Sequence, residues 1–152
     1  MVKNIIREIV QEGQTLASKQ SWVCLGYKNL MAEINRHLAE IPNLSGDSIS
    51  FPIREWKWRE GEGYCGLQRK ITARLSFSED ASLELRIGRE AWEGGWTWEC
   101  LGDPSAENIR VFAGKLQKML EYFLAEIRAR NEENTEAGNC LENMFAQLQT
   151  AV

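Results

Sequence analysis

Arg54-Glu55-Trp56-Lys57-Trp58-Arg59 carries the sharpest chemical signal in the chain, tryptophan alternating with cations. An indole face stacks on a base and a neighbouring cation meets a phosphate, so the pattern suits a nucleotide or a single strand. Arg69, Lys70 and Arg74 add positive charge on the next predicted strand. The same residues suit the covered edge of a core better still, and after that a protein contact, where tryptophan and arginine carry much of the binding energy. Arg74 and Arg86 form a second group. The expected register places them opposite one another on two strands, an unfavourable pair. Glu84 and Glu99 on the same outer face would relieve it, as would an acidic or phosphorylated ligand.

Other reactive types are sparse. His37 is the only histidine. Glu33 lies one turn before it and Glu40 three residues after, the spacing of a helix-surface ion pair, and no nucleophile-elbow motif accompanies it. Cys24, Cys65, Cys100 and Cys140 are scattered, without the close pair that starts a zinc site, and read as thiols of a reducing compartment. Gly61-Glu62-Gly63-Tyr64-Cys65-Gly66 matches G-x-G-x-x-G. It precedes a predicted strand, however, where a dinucleotide fingerprint needs a helix N-terminus, and Glu62 would repel phosphate. No metal and no cofactor is expected, and the chain reads as non-enzymatic.

The elements that position these residues make an α+β chain. Two N-terminal helices are expected. The first spans about Val2 to Ser18 with Val2, Ile5, Ile6, Ile9, Gly13 and Leu16 on one stripe. Gly13 suggests close packing or an early end. The second spans about Tyr27 to Glu40 and is stopped by Pro42. A four-stranded antiparallel meander sheet follows between Ile49 and Leu101. Pro52 makes its first strand an edge. Trp56 and Trp58 fall out of phase with Ile53, so either a bulge re-aims the chain or they face away from the core. Arg59 to Gly66 reads as a loop. The next two strands turn Ile71, Ala73, Leu75, Leu83, Leu85 and Ile87 inward, with Ser78 opposite Ser82. Trp92 sits in a turn, and Trp96, Trp98 and Cys100 are expected on the core face. Asp103 as cap and Pro104 at the first helical position open a long C-terminal helix, expected to pack on one sheet face. Residues 131–139 read as a polar linker before a short terminal amphipathic helix.

At 152 residues with a formal charge of −4, the chain suits a single domain and has no global attraction to nucleic acid. The charged start lacks a signal-peptide pattern, no apolar run reaches bilayer length, and a cytoplasmic protein is expected. The function that fits is non-catalytic binding, most simply a protein–protein interaction module of inhibitor, immunity, chaperone or adaptor type. Its contact residues would be Arg54, Trp56, Lys57, Trp58, Arg59, Arg74, Arg86 and Trp92. Leu141, Met144, Phe145 and Leu148 on the last helix would serve self-association into a homo-oligomer. The alternative is a nucleotide or nucleic-acid binder that uses the same tryptophan and cation surface.

Overall fold

The computed structural model describes residues 1–42, 44, 47–60, 63–78 and 80–150, with the backbone alone at 58–60 and 63–66. Its elements are α1 (Val2–Leu38), β1 (Ser48–Glu60), β2 (Gly63–Ser76), β3 (Ser82–Glu90), β4 (Trp96–Cys100) and α2 (Ala106–Thr150). The four strands form one antiparallel sheet in the order β1-β2-β3-β4, the expected meander with β1 at an edge. The chain divides into two compact units, Met1–Lys115 and Leu116–Val152, the division falling inside α2.

In the first unit the two expected N-terminal helices are one, a single α1 of 37 residues. The apolar stripe already carries this continuity. Leu16, Val23, Tyr27, Met31 and Ile34 advance in steps of three, four and seven, which keeps one face through the segment between the two expected helices. That segment, Ser21–Gly26, contains no proline to interrupt the ladder. Gly13 marks neither close packing nor an end, because a Cβ built there meets nothing within 4 Å. Arg36 and His37 in the last turn complement the negative end of the helix dipole.

The lower part of α1 holds the sheet. Tyr27 and Met31 are buried, and Tyr27 meets Phe112 edge to face at 6.2 Å between ring centres. Asn35 does a strand's work. Its Nδ2 donates to the Leu83 carbonyl at 3.1 Å, and the Leu83 N–H donates to its Oδ1 at 2.6 Å. β4 pairs only with Arg86–Glu90 and stops short of Leu83, so the side chain of Asn35 satisfies backbone groups that would otherwise stay open.

The inward side chains of β2 and β3 are those expected, with Ile71, Ala73, Leu75, Leu83, Leu85 and Ile87 all buried. Their register is shifted by two residues from the expected one. Ser76, not Ser78, faces Ser82; Leu75 faces Leu83; Arg74 faces Glu84; and Arg86 faces Thr72. Phe77, beyond the ladder, bonds on the β1 side: its N–H donates to the Asp47 carbonyl and its own carbonyl accepts from the Leu44 N–H, at 3.0 and 3.2 Å. The slip is even, so every side chain keeps its face, and the ladder places Arg74 across from Glu84 rather than from Arg86.

The expected loop at Arg59–Gly66 is largely strand. Arg59 pairs with Tyr64 and Glu60 with Gly63, and the connection at 61–62 lies outside the described residues. The start of α2 is also set differently from expectation. Ser105, not Asp103, caps it, its Oγ accepting from the Asn108 N–H at 3.2 Å. Asp103 instead accepts from the Cys24 thiol and pairs with Lys28 at 3.6 Å.

In the second unit α2 continues without a break to Thr150, so residues 131–139 are helix rather than linker and the short terminal helix is not separate. Two polar side chains there bond back to the carbonyl one turn earlier without ending the helix. Asn134 donates to the Arg130 carbonyl at 2.8 Å and Thr135 to that of Asn131 at 2.9 Å. Met119 and Phe123 are buried, and residues 131–150 carry no buried side chain among those described.

Candidate functional site

A bulge immediately precedes the tryptophan and cation run of β1. Ladder pairing passes from Pro52–Thr72 to Arg54–Ile71, which leaves Ile53 without a partner residue. The carbonyl of Ile53 accepts from Lys115 Nζ at 2.6 Å instead. The extra residue inverts the alternation. Arg54 and Trp56, paired with Ile71 and Arg69, now point to the side of the buried residues, while Glu55 and Lys57 point to the other. Of the two outcomes open in the sequence, the bulge is the one realised.

Arg54 is therefore committed to the fold. Its Nη1 donates to Asn108 Oδ1 at 2.6 Å, its Nη2 reaches Glu107 at 3.3 Å, and its guanidinium lies 4.5 Å from the centre of the half-buried Trp56 ring. Lys57 is exposed and faces Gln68. Trp58 and Arg59 belong to β1, and their side chains lie outside the described residues. Trp92, in the turn 91–95, is 76% exposed. That turn reverses through Gly94 and Gly95, at φ of 86° and 82°, values that favour residues without a Cβ.

The open face of the sheet gathers a second group that the sequence reading only half assembled. Trp96, Trp98 and Cys100 are on this face, not in the core. The turn leaves five residues between Glu90 and Trp96, which pairs Gly88 with Trp98 and Arg86 with Cys100. Trp98 lies flat over Gly88. A Cβ on Gly88 would fall 2.7 to 2.9 Å from three carbons of the indole, so glycine is what lets the ring approach the strand. Trp96 stacks on Trp98 with ring centres 5.9 Å apart, and the Lys70 ammonium sits 4.4 Å from the centre of Trp96. Lys70 also reaches Glu55 at 3.8 Å.

Beside Trp98, a groove of about 460 Å³ is lined by Ser48, Ser50, Thr72, Arg74 and Arg86. Glu84 takes Arg86, at 3.7 Å, although Arg74 is the residue opposite it in the ladder. Arg74 is half-buried and makes no hydrogen bond or ion pair among the described residues. Glu99, expected as a neighbour of Glu84, is on the other side of the sheet and pairs with Arg89.

His37 makes the helix-surface pair its spacing suggests, 3.2 Å from Glu33, with Arg36 alongside. The hydrogen-bonded Arg36 guanidinium, and secondarily His37, hold the Glu33 carboxyl below its ordinary pKa. Among the described residues no cluster of three or more histidine, cysteine or acidic side chains could hold a metal ion. No helix of the described residues is long and apolar enough to cross a membrane.

The remaining candidate surface is apolar. Every residue from Met1 to Trp22 is exposed, including Ile5, Ile6, Ile9, Val10 and Leu16, with Ile9 at 63%. In the second unit Leu141, Met144, Phe145 and Leu148 are likewise open. Near the lower end of this run in α1, Trp22, Tyr27, Leu30 and Phe112 edge an apolar groove of about 270 Å³. Comparison with protein-family models, with curated proteins and with solved structures finds no match to this chain.

Proposed function

We propose that this protein is a non-catalytic protein-interaction module, and that its contact elements are the uncovered helical stripes. The observation that carries the reading is the exposure of the whole of α1 from Met1 to Trp22 with its isoleucine-rich stripe. Helices in proteins gain most of their stability by burying an amphipathic face rather than from propensity. A stripe this long therefore has its energetic reason in a surface that covers it. Leu141, Met144, Phe145 and Leu148 are the self-association surface in the same reading, and Trp92 is an exposed anchor beside the sheet.

The nucleotide or nucleic-acid alternative loses its original footprint. Arg54 is tied to α2 and Trp56 shares its side of the sheet, whereas Arg74 and Arg86 are on the opposite one. A single ligand does not meet all of them at once.

Hydrogen exchange and sedimentation test the proposal together. The amides of residues 5–18 should exchange nearly unprotected in dilute protein and gain protection as concentration rises or a partner is added. Phe145→Asp with Leu148→Asp should lower the sedimentation-derived association constant about tenfold or more, as expected for removing buried apolar contacts. Full protection of residues 5–18 in a dilute monomer would overturn the reading, because the stripe would then already be covered.

A further inference from the structure

The geometry points to a second, independent site: the open face of the sheet at Arg74, Arg86 and Trp98 binds a small phosphate ester that carries a planar ring, of the nucleoside monophosphate class. The inference does not rest on the helical stripes.

The groove has the parts such a ligand needs. Arg74 is a half-buried guanidinium with no acceptor among the described residues. A guanidinium presents a rigid fork of donors that matches phosphate oxygens, and a half-buried one is favoured by an anion that completes its hydrogen bonds. Arg86 projects from the neighbouring strand, directly opposite Thr72. The hydroxyls of Ser50 and Thr72, both on the groove wall, make no hydrogen bond among the described residues and can donate to the remaining oxygens. Glu84 opposes an anion. Bound to Arg86, it reduces the charge of this group of three to a net positive one, which limits the affinity but leaves Arg74 unmatched.

Trp98 supplies the second half of the recognition. Gly88 lets one face of its ring rest on the strand, Trp96 stacks on it only with an offset, ring centres 5.9 Å apart, and at 37% exposure the ring still presents surface to the groove. A purine or similar ring can stack there while its phosphate reaches the arginines. The volume of about 460 Å³ falls within the range of small-molecule sites, about 300 to 1,000 Å³. A bare phosphate would leave the indole unused, and an uncharged nucleoside would leave Arg74 unmatched.

Titration of the full chain with adenosine 5′-monophosphate at low ionic strength, followed by backbone and indole amide shifts, tests the inference. Ribose 5-phosphate, adenosine and inorganic phosphate serve as separate probes. Saturable shifts at Thr72, Arg74, Arg86 and the Trp98 indole are expected. Arg74→Gln should weaken binding about tenfold or more, as loss of a charged hydrogen-bond donor does. Trp98→Leu should weaken the nucleotide about tenfold while leaving ribose 5-phosphate unchanged. Arg54→Gln, on the opposite side of the sheet, should change nothing. Absence of saturable shifts, or binding insensitive to Arg74→Gln in a folded variant, overturns the site. Equal affinity for ribose 5-phosphate and the nucleotide overturns the stacking half of the assignment.

Discussion

The two halves of α1 share one helix and one apolar stripe, yet they are held in different ways. From Val23 to Leu38 the stripe is anchored by the buried Tyr27 and Met31 and by the amide of Asn35 on β3. From Val2 to Trp22 the same periodicity is exposed at every position, and nothing among the described residues buries it. Amphipathic spacing states that a face will be covered; it does not state by what. The lower half finds its cover inside the first unit. The upper half is the face that the proposed partner would cover.

The largest effect that separates the halves is a matched pair of truncations. Met31→Ala should cost about 2 to 5 kcal/mol of stability, the range for emptying a core site. Ile9→Ala should change the stability of the dilute protein by no more than about 0.5 kcal/mol, as surface substitutions do. Chemical denaturation of both variants checks the contrast, and an equal loss at Ile9 would erase the distinction between the halves.

A smaller effect comes from pH. Burial, and secondarily the approach of Cys100, pushes the Tyr27 phenol up to about 12 from an ordinary 10.0. The folded chain thus keeps a proton that the unfolded chain releases above pH 10. Tyr27 supports the fold fully below that pH, and its contribution drains away as pH climbs from 10 toward 12. At pH 11 the loss should be about 1 kcal/mol. Thermal melts of the native chain and of Tyr27→Phe across this window should show a steeper decline in the native chain, because groups common to both cancel.

The smallest expected effect is a gain. Gly13 sits mid-helix in the uncovered half with open space at its Cβ position. Gly13→Ala should raise local helix stability by up to about 1 kcal/mol, read as slower amide exchange around residue 13. No gain, or a loss of association, would show that the glycine is kept clear for a partner's approach.

Much of the fold was legible along the chain because it depends on local periodicity. The meander, the edge position of β1 and the inward residues of β2 and β3 follow from alternation and from Pro52. The joining of two predicted helices into one was also legible in the unbroken phase of the stripe. The candidate site was legible only in part. Arg74 and Arg86 were identified as residues of one open face, but the indole that accompanies them was assigned to the core.

Sequence alone determined which residues alternate and where the chain must turn, since both follow from the geometry of neighbouring residues. Tertiary structure decided which side each alternating set faces. One extra residue at Ile53 sends Trp56 toward the covered side, and five residues between Glu90 and Trp96 send Trp98 to the open one. A strand has a period of two, so a bulge or a turn changed by one residue inverts every side chain beyond it. That count is settled by contacts between distant segments, such as the Lys115 ammonium donating to the Ile53 carbonyl at the bulge.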